Sequence, residues 1–356
     1  MVFYVITIVS CKKELTGSNL VSEASVSSQN EDNATTAKPL VILNHQTKFG
    51  SIINGAFTPT QKVSIAKSLN AGYVRSGITV TEWTGKSGPY ENYVNNGIKV
   101  VLNINNDAQT GNPKPFPKDM ISYRNIFTQI VNKYQPEVIV VENEEINPNY
   151  HSGPMADYLN MLTVALDVCH AKGIKVANGG IYGSALEILT YRYLQTKGQN
   201  RADSFGNNCM TTYQVKAAQT PNSNPTLEKD VRQMDTLMNF YVNLDYVNIH
   251  MYEPFDPDVT QPELVTTRTP IVIADIQEFL KVRTGKPTMT NETGQRNNRT
   301  PGLVVTMLAE YDRLLFPYAI WFSDEDAQAG ATSLYNMTTG VLGTNGLAFA
   351  AFMAAY

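Results

Sequence analysis

The stretch Val138–Asn147, VIVVENEEIN, joins four branched apolar residues directly to three glutamates and two asparagines. An apolar run of this kind is typical of a strand that is buried on both faces. Clustered carboxylates are rarely buried, because ionised groups resist desolvation and like charges repel. The stretch therefore predicts a buried strand whose C-terminal end carries acidic side chains into a functional site.

Short apolar segments like this one recur along the chain from residue 39 onward. Most are rich in valine and isoleucine without strict polar alternation, as expected of parallel strands covered on both faces. The predicted strands are Phe49–Asn54, Tyr73–Ile78, Ile98–Ile104, Glu137–Glu142, Ile174–Asn178, Asp245–His250, Lys286–Asn291 and Tyr318–Phe322.

Helical patterns separate these strands. They cover Thr60–Ala71, Tyr90–Asn95, Lys118–Lys133, Met155–Ala171, Ser184–Gln195, Leu227–Val242, Thr269–Val282, Gly302–Leu314 and Leu347–Ala355, and residues 198–224 are predicted to form a polar loop. Repeated strand–helix units imply parallel pairing with right-handed crossovers. Eight such units predict an α/β protein, a single-domain (β/α)8 TIM barrel. A doubly wound sheet is the alternative, but its glycine-rich first turn is absent.

Composition excludes several function classes. The chain of 356 residues has a formal net charge of -4 and no basic patch with interleaved aromatic residues, which argues against a nucleic-acid partner. It has no C-x-x-C, H-E-x-x-H or glycine-rich phosphate loop, and its four histidines lack metal-ligand spacing. We therefore expect neither a metal nor another cofactor.

The N-terminal residues predict export. Met1–Ser10, MVFYVITIVS, is apolar and too short to span a membrane, as in the core of a signal peptide. The segment Ile8-Val9-Ser10-Cys11 resembles the lipobox of bacterial lipoproteins. The resemblance implies a signal segment over residues 1–11 and a periplasmic or outer-membrane-anchored, cell-surface protein held by a lipid on Cys11. A disordered apolar tail is the alternative.

The residues that follow predict a tether and then the barrel. Residues 12–38 are polar, with few large apolar side chains, and are expected to be a disordered tether. Residues 39–356 form the predicted catalytic barrel. Of the remaining cysteines, Cys169 and Cys209 could pair, but the helical pattern around Cys169 favours a buried thiol. We expect the protein to be a monomer.

Polar side chains follow the predicted strands at their C-terminal ends, where (β/α)8 barrels carry their functional sites. Two carboxylates across such a pocket suit glycosidic-bond hydrolysis, since one protonates the leaving oxygen and the other attacks the anomeric carbon. Strands four and seven are three apart around the ring, so side chains from their ends can converge. The strand-end residues are Arg75, Asn103, Asn105, Asn106, Glu142, Asn143, Glu144, Glu145, Asn178, His250, Tyr252, Asn291, Glu292, Trp321 and Asp324.

Several short motifs, in their order along residues 45–356, resemble those of the large clan of retaining glycoside hydrolases built on a (β/α)8 barrel. The motifs are YVRSG, the Asn-Glu pair at Asn143-Glu144, VNIHMYEP, KPTMTNETG, YAIWFS and the closing SLYNMTTGVLGTNGLAFAAF. The resemblance implies that Glu144 is the general acid/base and Glu292 the nucleophile of a double displacement on a poly- or oligosaccharide. A solvated loop acid at Glu144 and a capping acid at Glu292 are the alternatives.

The same resemblance implies the residues that contact the substrate. Arg75 falls where the clan has an arginine near the nucleophile, and Asn143 is placed to contact the sugar 2-hydroxyl. His250 and Tyr252 match a His-x-Tyr pattern whose tyrosine contacts the nucleophile. Trp321 falls where the clan uses a tryptophan as a sugar platform. For His250, Tyr252 and Trp321 the alternative is ordinary packing. For Arg75 the alternative is a structural role as the partner of a carboxylate.

Glu142 and Glu145 depart from the clan's pattern around the Asn-Glu pair. Strand alternation predicts Glu142 and Glu144 on one face and Asn143 and Glu145 on the other, with Glu142 as a partner for Arg75. Because of this departure, a catalytically silent barrel that binds glycans as a surface lipoprotein is the second hypothesis.

Overall fold

The computed structural model describes residues 43–107, 111–252, 262–295, 300–323 and 334–356, except for the side chains of 262–268. The predicted signal segment at 1–11, the predicted tether at 12–38 and the strand-end residue Asp324 lie outside these residues. None of the described helices is both long and apolar enough to cross a lipid bilayer.

Strands and helices alternate along the described chain. The strands are β1 (Lys48–Ile52), β2 (Tyr73–Thr79), β3 (Lys99–Asn105), β4 (Val138–Val141), β5 (Lys175–Asn178), β6 (Val247–Tyr252), β7 (Thr288–Gly294) and β8 (Tyr318–Phe322). The helices are α1 (Pro59–Ser68), α2 (Pro89–Val94), α3 (Met120–Tyr134), α4 (Met155–His170), α5 (Ser184–Gln195), α6 (Gln199–Cys209), α7 (Thr212–Gln219), α8 (Pro225–Tyr241), α9 (Pro262–Thr284), α10 (Pro301–Arg313) and α11 (Thr344–Ala355).

The strands form one parallel sheet in the order β5-β4-β3-β2-β1-β8-β7-β6. Its two end strands meet through isolated parallel bridges, which pair Ala177 with Tyr246 and Ile181 with Ile249. The Asn178 amide completes this β5–β6 seam: it donates to the Asn248 carbonyl over 2.9 Å and accepts from the Asn248 backbone N–H over 2.7 Å. The predicted (β/α)8 TIM barrel is thus confirmed.

Side chains inside the barrel divide it into an apolar interior and a charged N-terminal end. The interior is filled by Tyr73, Val101, Val138, Val140, Ala177, Met289, Tyr318 and Ile320. At the N-terminal end, Glu137 accepts from Lys48 and Lys99, each over 2.6 Å. Partial burial favours the neutral acid, but these two ammonium groups lower the pKa of Glu137 to about 2. These ion pairs occupy the N-terminal end of the barrel, so a functional site is expected at the opposite, C-terminal end.

The polar loop predicted at residues 198–224 is wrong. The segment forms α6, α7 and the turn into α8. Thr211 and Gln214 cap each other at the start of α7, and a capping box of this kind is a helix-start signature. In α6 the buried residues are Ala202, Phe205, Gly206 and Cys209, an i, i+3, i+4, i+7 stripe in an otherwise polar sequence. The narrow stripe explains why composition alone indicated a loop.

Both cysteines of the described chain are buried, Cys169 in α4 and Cys209 in α6. Burial raises the pKa of the Cys169 thiol to about 12, so it remains protonated and unreactive at neutral pH. The structure therefore agrees with a buried small apolar role for Cys169 and not with a Cys169–Cys209 disulfide.

Candidate active site

The chain turns sharply directly after β4. Glu142 and Glu144 both adopt left-handed backbone conformations, with φ of 70° and 48°. Non-glycine residues seldom occupy this region, and residues held there recur at functional sites. The simple strand alternation predicted for residues 142–145 is therefore wrong, because the strand ends at Val141 and the next four side chains follow the turn instead.

The turn places Glu144 against two polar side chains. One carboxylate oxygen lies 3.0 Å from Nδ1 of His250, and the other accepts from the Asn147 amide over 2.5 Å. Glu144 itself is only 7% exposed. Sequence reasoning missed Asn147, although it closes the same quoted stretch; its role depends on the turn, which brings residue 147 back over residue 144.

Glu292 emerges from β7 into the opposite side of the same site. Arg75 donates to its Oε2 over 2.6 Å, and the Tyr252 hydroxyl donates to its Oε1 over 2.6 Å. Burial alone would raise the pKa of Glu292, but its electrostatic interactions with His250 and Arg75 and the Tyr252 hydrogen bond outweigh burial and lower the pKa to about 2. Glu292 is therefore ionised at neutral pH.

The two carboxylates lie close together. One carboxylate oxygen of Glu144, one of Glu292 and a ring nitrogen of His250 all lie within 4.8 Å of one another. Retaining glycosidases need carboxyl groups about 5–5.5 Å apart, whereas inverting enzymes need about 6.5–9.5 Å. Three such atoms could also ligate a cation, but the guanidinium of Arg75 already bonds to Glu292 and would repel one. The spacing fits the retaining geometry.

Arg75 links the nucleophile candidate to the β4 turn. Besides Glu292, its guanidinium donates to Oδ1 of Asn143 over 2.5 Å. A ring nitrogen of His151 lies 2.8 Å from the backbone carbonyl of Asn143, which fixes the turn from the other side. The expected partnership between Arg75 and Glu142 is not present: Glu142 accepts from the backbone N–H of Asn106 over 2.7 Å.

A cleft of about 430 Å³ opens at this end of the barrel, lined by Arg75, Asn143, Glu292 and Phe322 among others. Trp321 does not reach it. Its side chain is 1% exposed and packs edge-on against Phe349 of α11, with ring centroids 6.3 Å apart. The expectation of a sugar platform at Trp321 is therefore corrected: alternation along β8 turns Trp321 outward and Phe322 toward the cleft.

Four buried asparagines form a layer across the barrel beneath the carboxylates, which we call the asparagine layer. The Asn248 amide donates to Oδ1 of Asn291 over 2.7 Å, and the Asn291 amide donates to Oδ1 of Asn103 over 3.1 Å. Asn178 joins through its bonds to Asn248. The second ring nitrogen of His250 lies 3.0 Å from Oδ1 of Asn291, so this layer fixes the imidazole that contacts Glu144.

Gly180 is a further residue that sequence reasoning missed. A Cβ atom there would lie 2.2 Å from Nε2 of His250, and the backbone φ is 122°. We expect Gly180→Ala to displace the His250 ring and to lower the free energy of unfolding by about 2–4 kcal/mol, from overpacking and backbone strain together. Chemical denaturation and the imidazole NMR signals of His250 would measure both effects.

Gly173→Ala is the matched control for this change. Gly173 also has a positive φ, 72°, but a Cβ atom there meets nothing within 4 Å. The control should show only the backbone cost, about 1 kcal/mol, with unchanged His250 signals. Equal destabilisation by the two variants would contradict the clash with His250.

Glu142 and Glu145 are buried beside the site, each 1% exposed. Glu145 accepts hydrogen bonds from the Tyr241 hydroxyl and the Asn178 amide. Burial, reinforced by Glu145, raises the pKa of Glu142 to about 8, and burial also raises the pKa of Glu145 despite its hydrogen bonds. At neutral pH Glu142 is therefore mainly a neutral acid, which removes one of the three charges that the sequence clusters here.

We expect Glu142→Gln to reduce the pH dependence of stability. Because the folded pKa of Glu142 lies above the unfolded value, the wild type has its full stability below about pH 4.5 and loses stability as the pH rises toward 8. A glutamine does not titrate, so it removes this loss of stability. Over that range the free energy of unfolding of the variant should rise relative to that of the wild type by several kcal/mol, at about 1.4 kcal/mol per pKa unit. Urea unfolding at pH 5, 6.5 and 8 would measure this. A stability difference that stays constant with pH would contradict a raised Glu142 pKa.

The fold and site define a (β/α)8 barrel with two close carboxylates at its mouth, and several solved structures share the fold. No protein-family model and no curated protein matches the sequence. A glucosidase from Croceicoccus marinus has a TM-score of 0.56 at 11% identity, over 87% of this chain and 67% of that one. A broad-specificity endoglucanase from Clostridium longisporum has a TM-score of 0.52 at 12% identity, over 85% and 87%.

An endo-β-1,4-glucanase from Xanthomonas axonopodis pv. citri is similar to the same extent. Its TM-score is 0.52 at 10% identity, over 87% of this chain and all of the other. At identities this low, the structural similarity establishes a shared barrel fold and nothing more specific. A shared barrel does not imply a shared reaction, so any activity has to be argued from the site.

Proposed function

We propose that this protein is a retaining glycoside hydrolase. The observation that carries the proposal is the approach of Glu144 and Glu292 to within 4.8 Å, at the ends of β4 and β7, with Glu292 held ionised. The shared fold with a glucosidase and endoglucanases supports it. Poly- or oligosaccharides are the proposed substrates.

The proposed reaction has two displacements. In the first, Glu292 attacks the anomeric carbon and forms an ester bond while the bond to the leaving oxygen breaks, and Glu144 gives that oxygen its proton. In the second, Glu144 takes a proton from water, the water oxygen bonds to the anomeric carbon, and Glu292 leaves as a carboxylate. The sugar keeps its anomeric configuration, and no cofactor takes part.

The neighbouring side chains have matching proposed roles. Arg75 and Tyr252 hold Glu292 in line and ionised through two hydrogen bonds of 2.6 Å. His250 and Asn147 orient the carboxyl group of Glu144. Asn143, fixed by Arg75, is positioned to bond a sugar hydroxyl in the cleft. A hydrogen bond to the 2-hydroxyl strengthens in the oxocarbenium-like transition state.

A hydrolysis screen with stereochemical analysis tests this proposal. The purified protein would be given β-1,4-glucans, other polysaccharides and a panel of aryl glycosides. For each substrate cleaved, proton NMR would record the anomer first released. We expect the configuration of the substrate to be retained. First release of the opposite anomer would overturn the double displacement.

The second candidate function is a catalytically silent barrel that binds glycans. The buried acids Glu142 and Glu145 beside the Asn143-Glu144 pair favour it, because they depart from the pattern of the active clan. It predicts binding on a glycan array, or in calorimetry, by a protein that cleaves none of the bound sugars. Turnover of any bound glycan would reject this candidate.

We also propose that the protein is an exported monomer anchored through a lipid on Cys11. The lipobox-like segment at residues 8–11 supports this. In a bacterial host, labelled palmitate should enter the wild type and not the Cys11→Ser variant, which should leave the membrane fraction. Label in both forms would overturn the anchor. Light scattering would test the monomer.

A further inference from the structure

A second cavity, of about 450 Å³, shares a wall with the site. His250 and Tyr252 line it, and these two side chains also contact Glu144 and Glu292. The cleft with Arg75 lies toward β1–β3, whereas this second cavity lies toward β5 and β6. The carboxylate pair is therefore flanked by two spaces. We call the second one the apolar pocket.

The walls of the apolar pocket are mainly hydrocarbon. Leu186 of α5, Leu227 of α8, and Val272 and Ile276 of α9 line it, together with the buried thiol of Cys209. The hydroxyl groups around the rim of a sugar ring would lose hydrogen bonds to water against such walls. An apolar ligand gains from the same contact, by roughly 25 cal/mol for each Å² of apolar surface buried.

Several polar groups of the apolar pocket are bonded to one another. The Gln214 amide donates to Oγ of Ser184 over 2.7 Å and to Oε2 of Glu187 over 2.6 Å. Burial raises the pKa of Glu187 to about 7, against the opposing effect of the Gln214 hydrogen bond. This cluster offers a ligand a few hydrogen bonds at one end, rather than the many that a sugar requires.

The apolar pocket depends on the helices inserted between β5 and β6. Cys209 comes from the end of α6, and Thr211, Tyr213 and Gln214 come from the start of α7. Tyr213 is 60% exposed, so an aromatic ring lies at the surface beside the pocket. The insertion thus builds a cavity next to the residues that hold the catalytic carboxylates.

We propose that the apolar pocket binds the leaving group of the substrate, and that this group is an apolar alcohol, alkyl or aryl, instead of a further sugar. The inference rests on the proposed function and narrows its substrate class. The sugar to be transferred occupies the cleft beside Arg75 and Asn143, and the bond to be cleaved lies at Glu144. The released alcohol occupies the pocket beyond His250 and Tyr252.

A series of n-alkyl glycosides tests the inference. Their sugar would be the one best cleaved in the screen, and their alcohols differ in length but little in acidity. From methyl to hexyl, we expect KM to fall by roughly 10²- to 10³-fold, because five more methylene groups are buried and each contributes about 0.8 kcal/mol. Independently of turnover, hexanol should bind to the wild type in an NMR titration.

Two substitutions fill the pocket from different helices, Val272→Phe and Leu227→Phe. Leu227 is partly buried, which leaves more room for a larger side chain if Val272→Phe does not fold. In either variant the preference for hexyl over methyl glycoside should fall to about onefold, and hexanol binding should be lost. Val305→Phe, on α10 at a position 39% exposed, is the matched control. It should keep the preference for hexyl over methyl glycoside and the binding of hexanol.

The outcomes separate this inference from the proposed function. Hydrolysis with a KM that does not change with alkyl length, or a preference unaffected by both pocket substitutions, would overturn the inference and leave the hydrolase intact. Hydrolysis of no glycoside, even with hexanol bound, would overturn the proposed function, and the leaving-group role with it. Loss of the preference in both filled variants supports the inference.

Discussion

Glu292→Ala should lower kcat by about 10⁴-fold or more, because removal of an enzyme nucleophile commonly costs this much or more. The wild-type carboxylate is already ionised and aimed by Arg75 and Tyr252, so no other described side chain occupies its place. Added azide should enter the space left by the carboxylate and attack the anomeric carbon while Glu144 still protonates the leaving group. The product should be a glycosyl azide of inverted configuration.

Asp167→Asn is the matched control for loss of an acidic group. Asp167 lies on α4, is exposed, and pairs with Arg124 at the surface over 2.8 Å. A surface pair contributes about 0–1 kcal/mol, so this variant should keep wild-type kinetics. The nucleophile assignment would fail if Glu292→Ala kept its activity or if azide gave a product of retained configuration.

Glu144→Ala should have an effect that depends on the leaving group. With alkyl glycosides kcat/KM should fall by about 10³-fold or more, since proton transfer to a poor leaving group is the step that is lost. With a dinitrophenyl glycoside, whose leaving group needs no proton, formation of the glycosyl-enzyme should change little. Its hydrolysis should then become slow, and mass spectrometry should detect the ester on Glu292.

Azide distinguishes the two carboxylates. In Glu144→Ala it should accelerate turnover of the dinitrophenyl glycoside and yield an azide of retained configuration, opposite to the product of Glu292→Ala. The reason is that azide here attacks the glycosyl-enzyme, from the face where Glu144 stood. An equal decrease of kcat/KM with alkyl and dinitrophenyl glycosides would show that Glu144 does not supply the proton.

Much of the site could be predicted from the sequence because its residues end parallel strands. The C-terminal ends of such strands meet at one end of a barrel, whatever the loops do. Arg75, Asn143, His250, Tyr252 and the two glutamates therefore came together as the strand-end positions suggested. The approach of Arg75 and Tyr252 to Glu292 was implied by the resemblance to the retaining clan and not by strand positions alone.

Features that depend on a single residue of register or on backbone conformation could not be predicted in this way. Trp321 and Phe322 are adjacent, and a shift of one residue exchanges which of them faces the cleft. The left-handed conformations of Glu142 and Glu144 end the expected alternation and bring Asn147 onto Glu144. Gly180 matters only because a ring from another strand lies against its α-carbon.

The second limit was long-range context. The helices α6 and α7 are polar in composition, and their helical character depends on a narrow buried stripe and a capping box. Likewise, three glutamates in four residues indicate three charges only if all three remain in water. Burial raises the pKa of Glu142 and Glu145, and that burial comes from β5, α4 and α8, which lie far along the chain.

The β5–β6 seam closes the barrel with isolated bridges instead of a continuous strand ladder. Backbone hydrogen bonds cross it at both ends, from the Asp245 N–H to the Val176 carbonyl and from the His250 N–H to the Ile181 carbonyl. Between these bonds, the side-chain amide of Asn178 takes the place of a backbone peptide, since it both donates to and accepts from the backbone of Asn248. His250 lies beside this joint, so one side chain, Asn178, helps to set the position of the strand that brings the imidazole to Glu144.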